Sequence, residues 1–259
     1  MGNEKVIPHS TKGSSFVRIA NLDFHGNLEK VLLVHNTGHW VQEDGKDLFY
    51  KDTGYSLPGG KHRVYSEETL KGLGLPIDCC ETPEETALRE GFEEANIILK
   101  TEDPYIAQSL IGLASEIKRR KQEKEETYLR MAGEGYVKSI HGYSEMAKHL
   151  LTDISLLPEV EKASWVRTYA INPDDVLDLD KVGTKNELAD NVDSVRWLDI
   201  KELEKYISIL RDAYMGKFGR VGKFETFFES KKSPTGYWIY YSTLRRLGFK
   251  DWQWREAPL

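Results

Sequence analysis

Three glutamates, Glu90, Glu93 and Glu94, are separated by three and four positions in the sequence. Residues at this spacing lie on one side of an α-helix, so the pattern predicts a cluster of carboxylates. Like charges at this spacing destabilise an exposed helix by about 0.2–0.5 kcal/mol per pair, and we therefore expect a bound cation. Carboxylate oxygens without histidine or cysteine favour Mg2+ or Mn2+ over zinc. The sequence thus predicts a divalent metal site with these three glutamates as ligands.

The flanking residues predict the helix that carries this cluster. Thr82 is followed three residues later by Glu85, with Pro83 at the first helical position, which is typical of a capped helix start. Asn96 is suited to the left-handed conformation that ends many helices. The apolar or small residues fall on the side away from the acids; they are Ala87, Leu88, Gly91, Phe92 and Ala95. We therefore expect a helix from Pro83 to about Ala95, with one packed face and one acidic face.

The same stretch resembles the Nudix box, G-x5-E-x7-R-E-U-x-E-E-x-G-U, where U is apolar. The matching residues are Gly60, Glu81 and the run Arg89-Glu90-x-x-Glu93-Glu94-x-Asn96-Ile97. The preceding Tyr55-Ser56-Leu57-Pro58-Gly59-Gly60 resembles the aromatic-x-Leu-Pro-Gly-Gly segment of many family members. Every charged position of the box is filled, so the pattern is specific.

Three departures distinguish this chain from the family pattern. Twenty residues separate Gly60 from Glu81 where the family has five, which indicates a 15-residue insertion. Gly91 occupies an apolar position, where a glycine would allow close packing on a sheet at some cost in helix propensity. Asn96 replaces the final glycine. None of these changes removes a charged group, and we expect the insertion to affect the shape of the substrate site more than the chemistry.

The resemblance implies that the protein hydrolyses a pyrophosphate bond in a nucleoside diphosphate linked to another moiety, with ADP-ribose or a nucleotide sugar as our choice of substrate. It also implies that Glu90, Glu93 and Glu94 are catalytic residues as well as metal ligands. It implies a structural pair between Arg89 and Glu81, and substrate binding by Gly59, Gly60, Lys61 and Arg63, although the two cations fit solvated loop positions equally well. The general base in the family is either a glutamate of the box or an acid on a later loop. Among the later acids Glu187, Asp190 and Asp193 we choose Glu187, whose side chain reaches further.

The resemblance also implies an α+β fold, an α/β/α Nudix sandwich with a mixed sheet. We expect a domain at 14–210 with insertions near 61–78 and 101–160, followed by a helical, aromatic-rich extension at 211–259. Alternating apolar residues predict a hairpin from strands at 15–20 and 30–35, and further strands at 97–99, 163–171 and 194–200. One long amphipathic helix is expected within the second insertion and another helix from Lys201.

Composition limits the class of protein. The chain has 259 residues, 39% apolar and 30% charged, which is enough for a substantial core. It has no membrane-spanning apolar run and no signal peptide, so we expect a cytoplasmic protein without a membrane partner. A net charge of −6 argues against nucleic-acid binding.

The adjacent Cys79 and Cys80 are expected to be reduced thiols. The helical insertion and aromatic C-terminal segment suggest a homodimer.

Two alternatives to an enzyme follow from the same residues. One is a catalytically silent Nudix-like module that binds a nucleotide and regulates a partner through the additional helices. The other is an ordinary acidic helix in an unrelated α/β protein, which would make the glycine-rich segment a coincidence. A pure binding module has no need for three concentrated carboxylates, and that favours the enzyme.

Overall fold

The computed structural model describes residues 13–25, 27–37, 39–41, 49–51, 54–63, 65, 67–74, 81–123, 126–155, 166–184, 188–189, 191–201 and 241–248. The strands within them are β1 (Ser14–Leu22), β2 (Leu28–Asn36), β3 (His39–Val41), β4 (Phe49–Lys51), β5 (Gly54–Ser56), β6 (Gly59–Lys61), β7 (Leu151–Asp153), β8 (Val166–Ile171) and β9 (Val192–Asp199). The helices are α1 (Glu67–Leu73), α2 (Pro83–Ala95), α3 (Pro104–Glu123), α4 (Glu126–Ala147) and α5 (Tyr241–Arg246).

The predicted hairpin is confirmed and forms the centre of the sheet. The carboxylate of Asp23 accepts hydrogen bonds from the backbone N–H groups of His25 and Asn27, each at 2.9 Å, and so stabilises the turn. Inward-facing residues of β1, such as Val17 and Ile19, are fully buried because the strand alternates between a core face and an outer face.

Seven strands form one mixed sheet. Its main order is β5-β2-β1-β8-β7, with β6 paired to β1 and β9 paired to β2. The first part of β1 runs parallel to β8 and antiparallel to β6, while its end pairs with β2. The expected α+β class with a mixed sheet is therefore confirmed. The strands β3 and β4 form a separate two-stranded sheet.

Helix α2 has the predicted ends. Thr82 Oγ1 accepts a hydrogen bond from the Glu85 N–H at 3.1 Å, and Asn96 has the left-handed φ of 55°. A Cβ added to Gly91 would lie 3.2 Å from a methyl group of Val17, so the glycine allows the helix to lie close to β1. Helix α2 also contacts α4. Because α2 packs against both the sheet and α4, the acidic residues Glu93 and Glu94 are buried as well as the apolar face.

Both segments that we expected to be insertions contain helices, although two details differ from prediction. The segment at 61–78 includes α1, and the segment at 101–160 forms two helices, α3 and α4, that pack against each other, rather than one long helix. The strand expected at 97–99 is reduced to an isolated bridge between Leu99 and Val176. The predicted strands at 163–171 and 194–200 correspond to β8 and β9.

Several expectations lie outside the described residues. Residues 202–210, where a helix was expected, are not described, and of the proposed 211–259 extension only 241–248 are. Within that short stretch, α5 has the expected helical form. None of the helices in the described ranges is long and apolar enough to span a lipid bilayer.

Candidate active site on helix α2

Arg89 and Glu81 form a buried pair at the start of the site. The Nε of Arg89 donates to Glu81 Oε1, and its Nη2 donates to Glu81 Oε2 at 3.0 Å. The two side chains are only 1% and 0% exposed. This two-point geometry uses the planar guanidinium to hold the segment before α2 against the helix. The pairing predicted between these residues is confirmed.

Glu81 is also surrounded by other donors. The backbone N–H of Arg63 donates to it at 2.8 Å, the hydroxyl of Thr86 at 2.9 Å and the hydroxyl of Tyr65 at 3.1 Å. Burial acts to raise the pKa of Glu81, but the hydrogen bonds and charge of Arg89 outweigh it and hold the pKa below its usual value. Glu81 is therefore an ionised, fully bonded group with a structural role.

The other end of the guanidinium contacts the box carboxylates. Arg89 Nη1 donates to Glu90 Oε1 at 2.7 Å and to Glu93 Oε2 at 2.9 Å. Arg63 Nη2 donates to the same Glu93 oxygen at 3.0 Å. Two guanidinium groups thus offset part of the repulsion that the sequence assigned to a metal ion alone. The prediction considered only the Glu81 contact of Arg89, because the spacing of residues does not show that one guanidinium can span both groups.

Glu94 connects the helix to the glycine-rich segment. Its Oε2 accepts a hydrogen bond from the backbone N–H of Gly59 at 2.9 Å. A side chain at Gly59 would overlap Phe16, and one at Gly60 would overlap the carboxylate of Glu90. Both glycines are therefore needed where β6 passes close to α2.

Lys61 and Arg63 continue from β6 along the edge of this cluster. The carbonyl oxygen of Lys61 accepts a hydrogen bond from Arg89 Nη2 at 3.0 Å, while the Lys61 side chain is exposed. The Arg63 side chain is 43% exposed although it pairs with Glu93. The side chains of Lys61 and Arg63, which were predicted to bind the substrate, therefore reach solvent beside the carboxylates.

Burial changes the acidity of the cluster. It raises the pKa of Glu90, and the positive charge of Arg89, which acts in the opposite direction, does not cancel the effect. The pKa of Arg89 itself is raised well above its usual value: burial alone would lower it, but Glu90, Glu81 and Glu93 outweigh that cost. A buried carboxyl with a raised pKa inside a charged cluster is a reasonable candidate for proton transfer.

Helix α4 of the second insertion supplies two residues that the sequence did not single out. The Tyr136 hydroxyl is buried beside Glu93; burial and, after it, the charge of Glu93 raise the pKa of Tyr136 well above its usual value. His141 Nδ1 lies 3.4 Å from Glu85 Oε2. Helical periodicity marked this segment only as amphipathic, so no local signal pointed to these contacts.

The donor set fits a hard divalent cation in kind, because Glu90, Glu93 and Glu94 offer only carboxylate oxygens. One oxygen of each carboxylate accepts the hydrogen bonds from Arg89, Arg63 and Gly59. Across the described ranges, however, no three His, Cys, Asp or Glu side chains stand in an arrangement that could already hold a metal ion. A cation would therefore have to compete with Arg89 and Arg63 for Glu93.

The later-loop acids are only partly described. Glu187, the predicted general base, and Asp190 lie outside the described residues. Asp193 is exposed on β9, and its Oδ1 lies 2.7 Å from His35 Nδ1. Asp193 therefore already has a close partner.

Comparisons of the chain with protein-family models, with curated proteins and with solved structures found no match.

Proposed function

We propose that this protein is a divalent-metal-dependent hydrolase of the Nudix type, which cleaves a pyrophosphate bond in a nucleoside diphosphate linked to another moiety. The observation that supports this most strongly is the convergence on Arg89: one guanidinium joins Glu81, Glu90 and Glu93. Residues that are distant in the sequence motif thus meet at one place. ADP-ribose and nucleotide sugars are the substrates we would test first.

The proposed α/β/α Nudix sandwich is supported by the mixed sheet and by the packing of α2 against β1, while α4 contacts α2 as well. In this arrangement the helix that carries the acids is fixed on both sides, while the segment from Gly59 to Arg63 lies along its edge. Fixed groups stabilise developing charge more effectively than mobile ones because they need no reorganisation.

Each residue of the cluster has a distinct task in this proposal. Glu90, Glu93 and Glu94 would hold Mg2+ or Mn2+, which when bound neutralises phosphate charge and makes a water molecule more acidic. Lys61 and Arg63 would contact the phosphates from the exposed edge. Arg63 would exchange its contact with Glu93 for one with a phosphate oxygen, since a guanidinium pairs well with either anion.

Proton transfer from the attacking water requires a base. Glu90 is one candidate, because the resemblance allows a glutamate of the box as base and the Glu90 carboxylate lies against Gly60 at the edge of the cluster. Glu187 is the other candidate, proposed from its place in the sequence. Glu81 is unsuited, since its pKa is held low and both its oxygens are bonded.

A second candidate function is that of a catalytically silent nucleotide-binding module. The observation that favours it is that Arg89 and Arg63 form ion pairs with Glu90 and Glu93 and so offset their charge. In such a module the arginines would remain in place and the ligand would bind without turnover.

The test is a panel of nucleoside diphosphate compounds incubated with Mg2+ or Mn2+, followed by a phosphatase that acts only on the monoester products. We expect phosphate release that falls by about 100-fold or more in Glu94→Gln. Glu84→Gln is the matched control, because Glu84 lies on the same helix but bonds to Tyr169 at 2.9 Å. Ligand binding without turnover under either cation would contradict the enzyme and support the silent module.

A further inference from the structure

A cleft of about 470 Å3 lies on the side of α2 away from the candidate active site. Its floor includes Phe92 and Asn96. Each residue advances about 100° around a helix, so these two side chains lie about 200° from Glu90 and Glu94 respectively. The body of α2 therefore separates this cleft from the candidate active site.

The walls of the cleft come from two different parts of the chain. Residues 111, 114, 115 and 118 of α3 share one helical face and form one wall, and Leu177, Asp178, Lys181 and Leu188 form the other. All the residues that line it are described. Its volume falls within the range of about 300–1,000 Å3 that is usual for small-molecule sites.

The interior of the cleft presents apolar surface from both walls. Ile111 on α3 is 43% exposed, and Leu177 on the opposite wall is 44% exposed. Between them lie the buried Phe92 and Ile98. A ligand with an apolar body would remove this exposed surface from water, which is favourable in proportion to the area covered.

The charged side chains that line the cleft are two lysines and one aspartate, which leaves a net charge of about +1 at neutral pH. Lys118 lies on the α3 wall, while Lys181 on the other wall forms an ion pair with Asp178, with the ammonium nitrogen 2.6 Å from the carboxylate oxygen. Nearby carbonyl groups at the end of α2 are already bonded: Phe92 O accepts from Asn96 N–H at 3.1 Å, and Gly91 O from Ile97 N–H at 3.1 Å. Hydrogen bonding of these carbonyls reduces the negative potential at the floor of the cleft.

We infer that the cleft between α3, the end of α2 and the wall formed by Leu177, Asp178, Lys181 and Leu188 binds a small organic anion with an apolar ring system and one acidic group. The rings would lie between Ile111 and Leu177, and the acidic group would lie near Lys118 and Lys181. This site requires neither a metal ion nor the box glutamates, so it goes beyond the proposed hydrolase function and does not depend on it.

The experiment uses 8-anilinonaphthalene-1-sulfonate, titrated into the full-length protein and followed by fluorescence excited outside the tryptophan absorption. Its 21 non-hydrogen atoms lead us to expect one saturable site with a Kd on the order of tens of micromolar. The uncharged N-phenyl-1-naphthylamine has the same rings without the sulfonate. We expect it to bind roughly 5-fold or more weakly, because it cannot use the two lysines.

Two pairs of variants locate the binding. Ser115→Trp should fill the cleft and abolish saturable binding, while Ser109→Trp, an identical change at another exposed position of α3, should leave it intact. Lys118→Glu should weaken binding of the sulfonate by roughly 3- to 10-fold, while Lys138→Glu on α4 changes the net charge equally and should have little effect.

Other results would overturn the inference. Unchanged binding in Ser115→Trp would show that the probe binds elsewhere on the chain. Equal affinity for the two probes, together with no effect of Lys118→Glu, would show an apolar cleft without preference for anions. Absence of any saturable binding to the unmodified protein would exclude this ligand class.

Discussion

Arg89 contacts Glu81 at one place and Glu90 and Glu93 at another, and these carboxylates differ in how many hydrogen bonds their oxygens accept. Glu81 is 0% exposed and accepts hydrogen bonds from four different residues. Glu90 and Glu93 have side chains that are 14% and 10% exposed and share a single nitrogen of the guanidinium. A glutamate whose oxygens are all bonded can only maintain structure, whereas one that keeps some exposure and shares its partner can exchange that partner for a ligand.

The largest expected effect is a loss of stability when Arg89, the partner of the buried Glu81, is removed. Arg89→Ala removes the partner of the fully buried Glu81 and also the shared partner of Glu90 and Glu93. Loss of one member of a buried ion pair destabilises a protein by about 3–5 kcal/mol, because the remaining charge is left buried without compensation. Urea denaturation would measure this change in the free energy of unfolding.

Arg119→Ala is the control for that measurement. Arg119 pairs with Glu116 at 2.8 Å, but both side chains are well exposed, so its loss should cost no more than about 1 kcal/mol. If Arg89→Ala unfolded at the same urea concentration as the parent and was nevertheless inactive, the structural role of Arg89 would be wrong.

The next largest effect is a loss of hydrolysis when Glu93, which shares Arg89 with Glu90, is changed. Glu93→Gln keeps the shape of the side chain but removes the charge that Arg89 and Arg63 contact, and we expect hydrolysis to fall by about 100-fold while the protein remains folded. Steady-state kinetics and a thermal melt would measure the two properties separately. Wild-type turnover in a folded Glu93→Gln protein would remove Glu93 from the mechanism.

Tyr136 sharpens the comparison because its buried hydroxyl lies beside Glu93 without a well-aligned hydrogen bond. Tyr136→Phe should change the free energy of unfolding by less than about 1 kcal/mol, since it removes both a poorly aligned contact and the cost of burying a hydroxyl. Tyr143→Phe on the same helix should be more destabilising, because the Tyr143 hydroxyl accepts a hydrogen bond from the Leu99 N–H at 2.7 Å. Equal destabilisation of both variants in chemical denaturation would mean that the contact of Tyr136 with Glu93 is as strong as that of Tyr143 with Leu99.

The smallest effect is a pH dependence at Glu85. Burial raises the pKa of Glu85, and the nearby His141, which acts in the opposite direction, does not cancel the shift. A carboxyl with a raised pKa in the folded state contributes stability that is fully present below the unfolded value of about 4.3 and is lost as the pH rises through the folded pKa. Glu85→Gln cannot ionise, so its stability should improve relative to the parent between about pH 4 and pH 7.

Unfolding free energies of both proteins across that pH range would test this prediction. Glu102→Gln, at an exposed position, provides a control for the general effect of removing one carboxyl group. A difference between Glu85→Gln and the parent that stays constant with pH would contradict the predicted shift.

These comparisons also show which features the sequence could predict. The helix ends at Thr82 and Asn96 and the Glu81–Arg89 pair depend on local spacing and on the motif, and all were predicted. The second contact of Arg89, with Glu90 and Glu93, depends on the side-chain conformation. The proximity of Tyr136 to Glu93 depends on how α4 packs, 43 residues further along the chain.

The errors have similar physical causes. One helix was predicted where α3 and α4 form two, because residues 118–126 contain neither glycine nor proline to indicate a break. The burial of acidic side chains on α2 was not predicted, because periodicity shows which residues are apolar but not which polar residues will be covered by another helix. Burial of Glu93 and Glu94 became visible only with the fold.

The central claim is that the carboxylates of α2 bind a divalent cation in competition with Arg89 and Arg63. The most direct test is a Mn2+ titration followed by the electron paramagnetic resonance signal of free Mn2+, with the parent, the Glu93→Gln/Glu94→Gln double variant and the Glu84→Gln control. We predict saturable binding by the parent and the control, and at least about 10-fold weaker binding by the double variant, since changes even outside a ligand shell can alter affinity by that much. Equal Mn2+ binding by the parent and a folded double variant would contradict the claim.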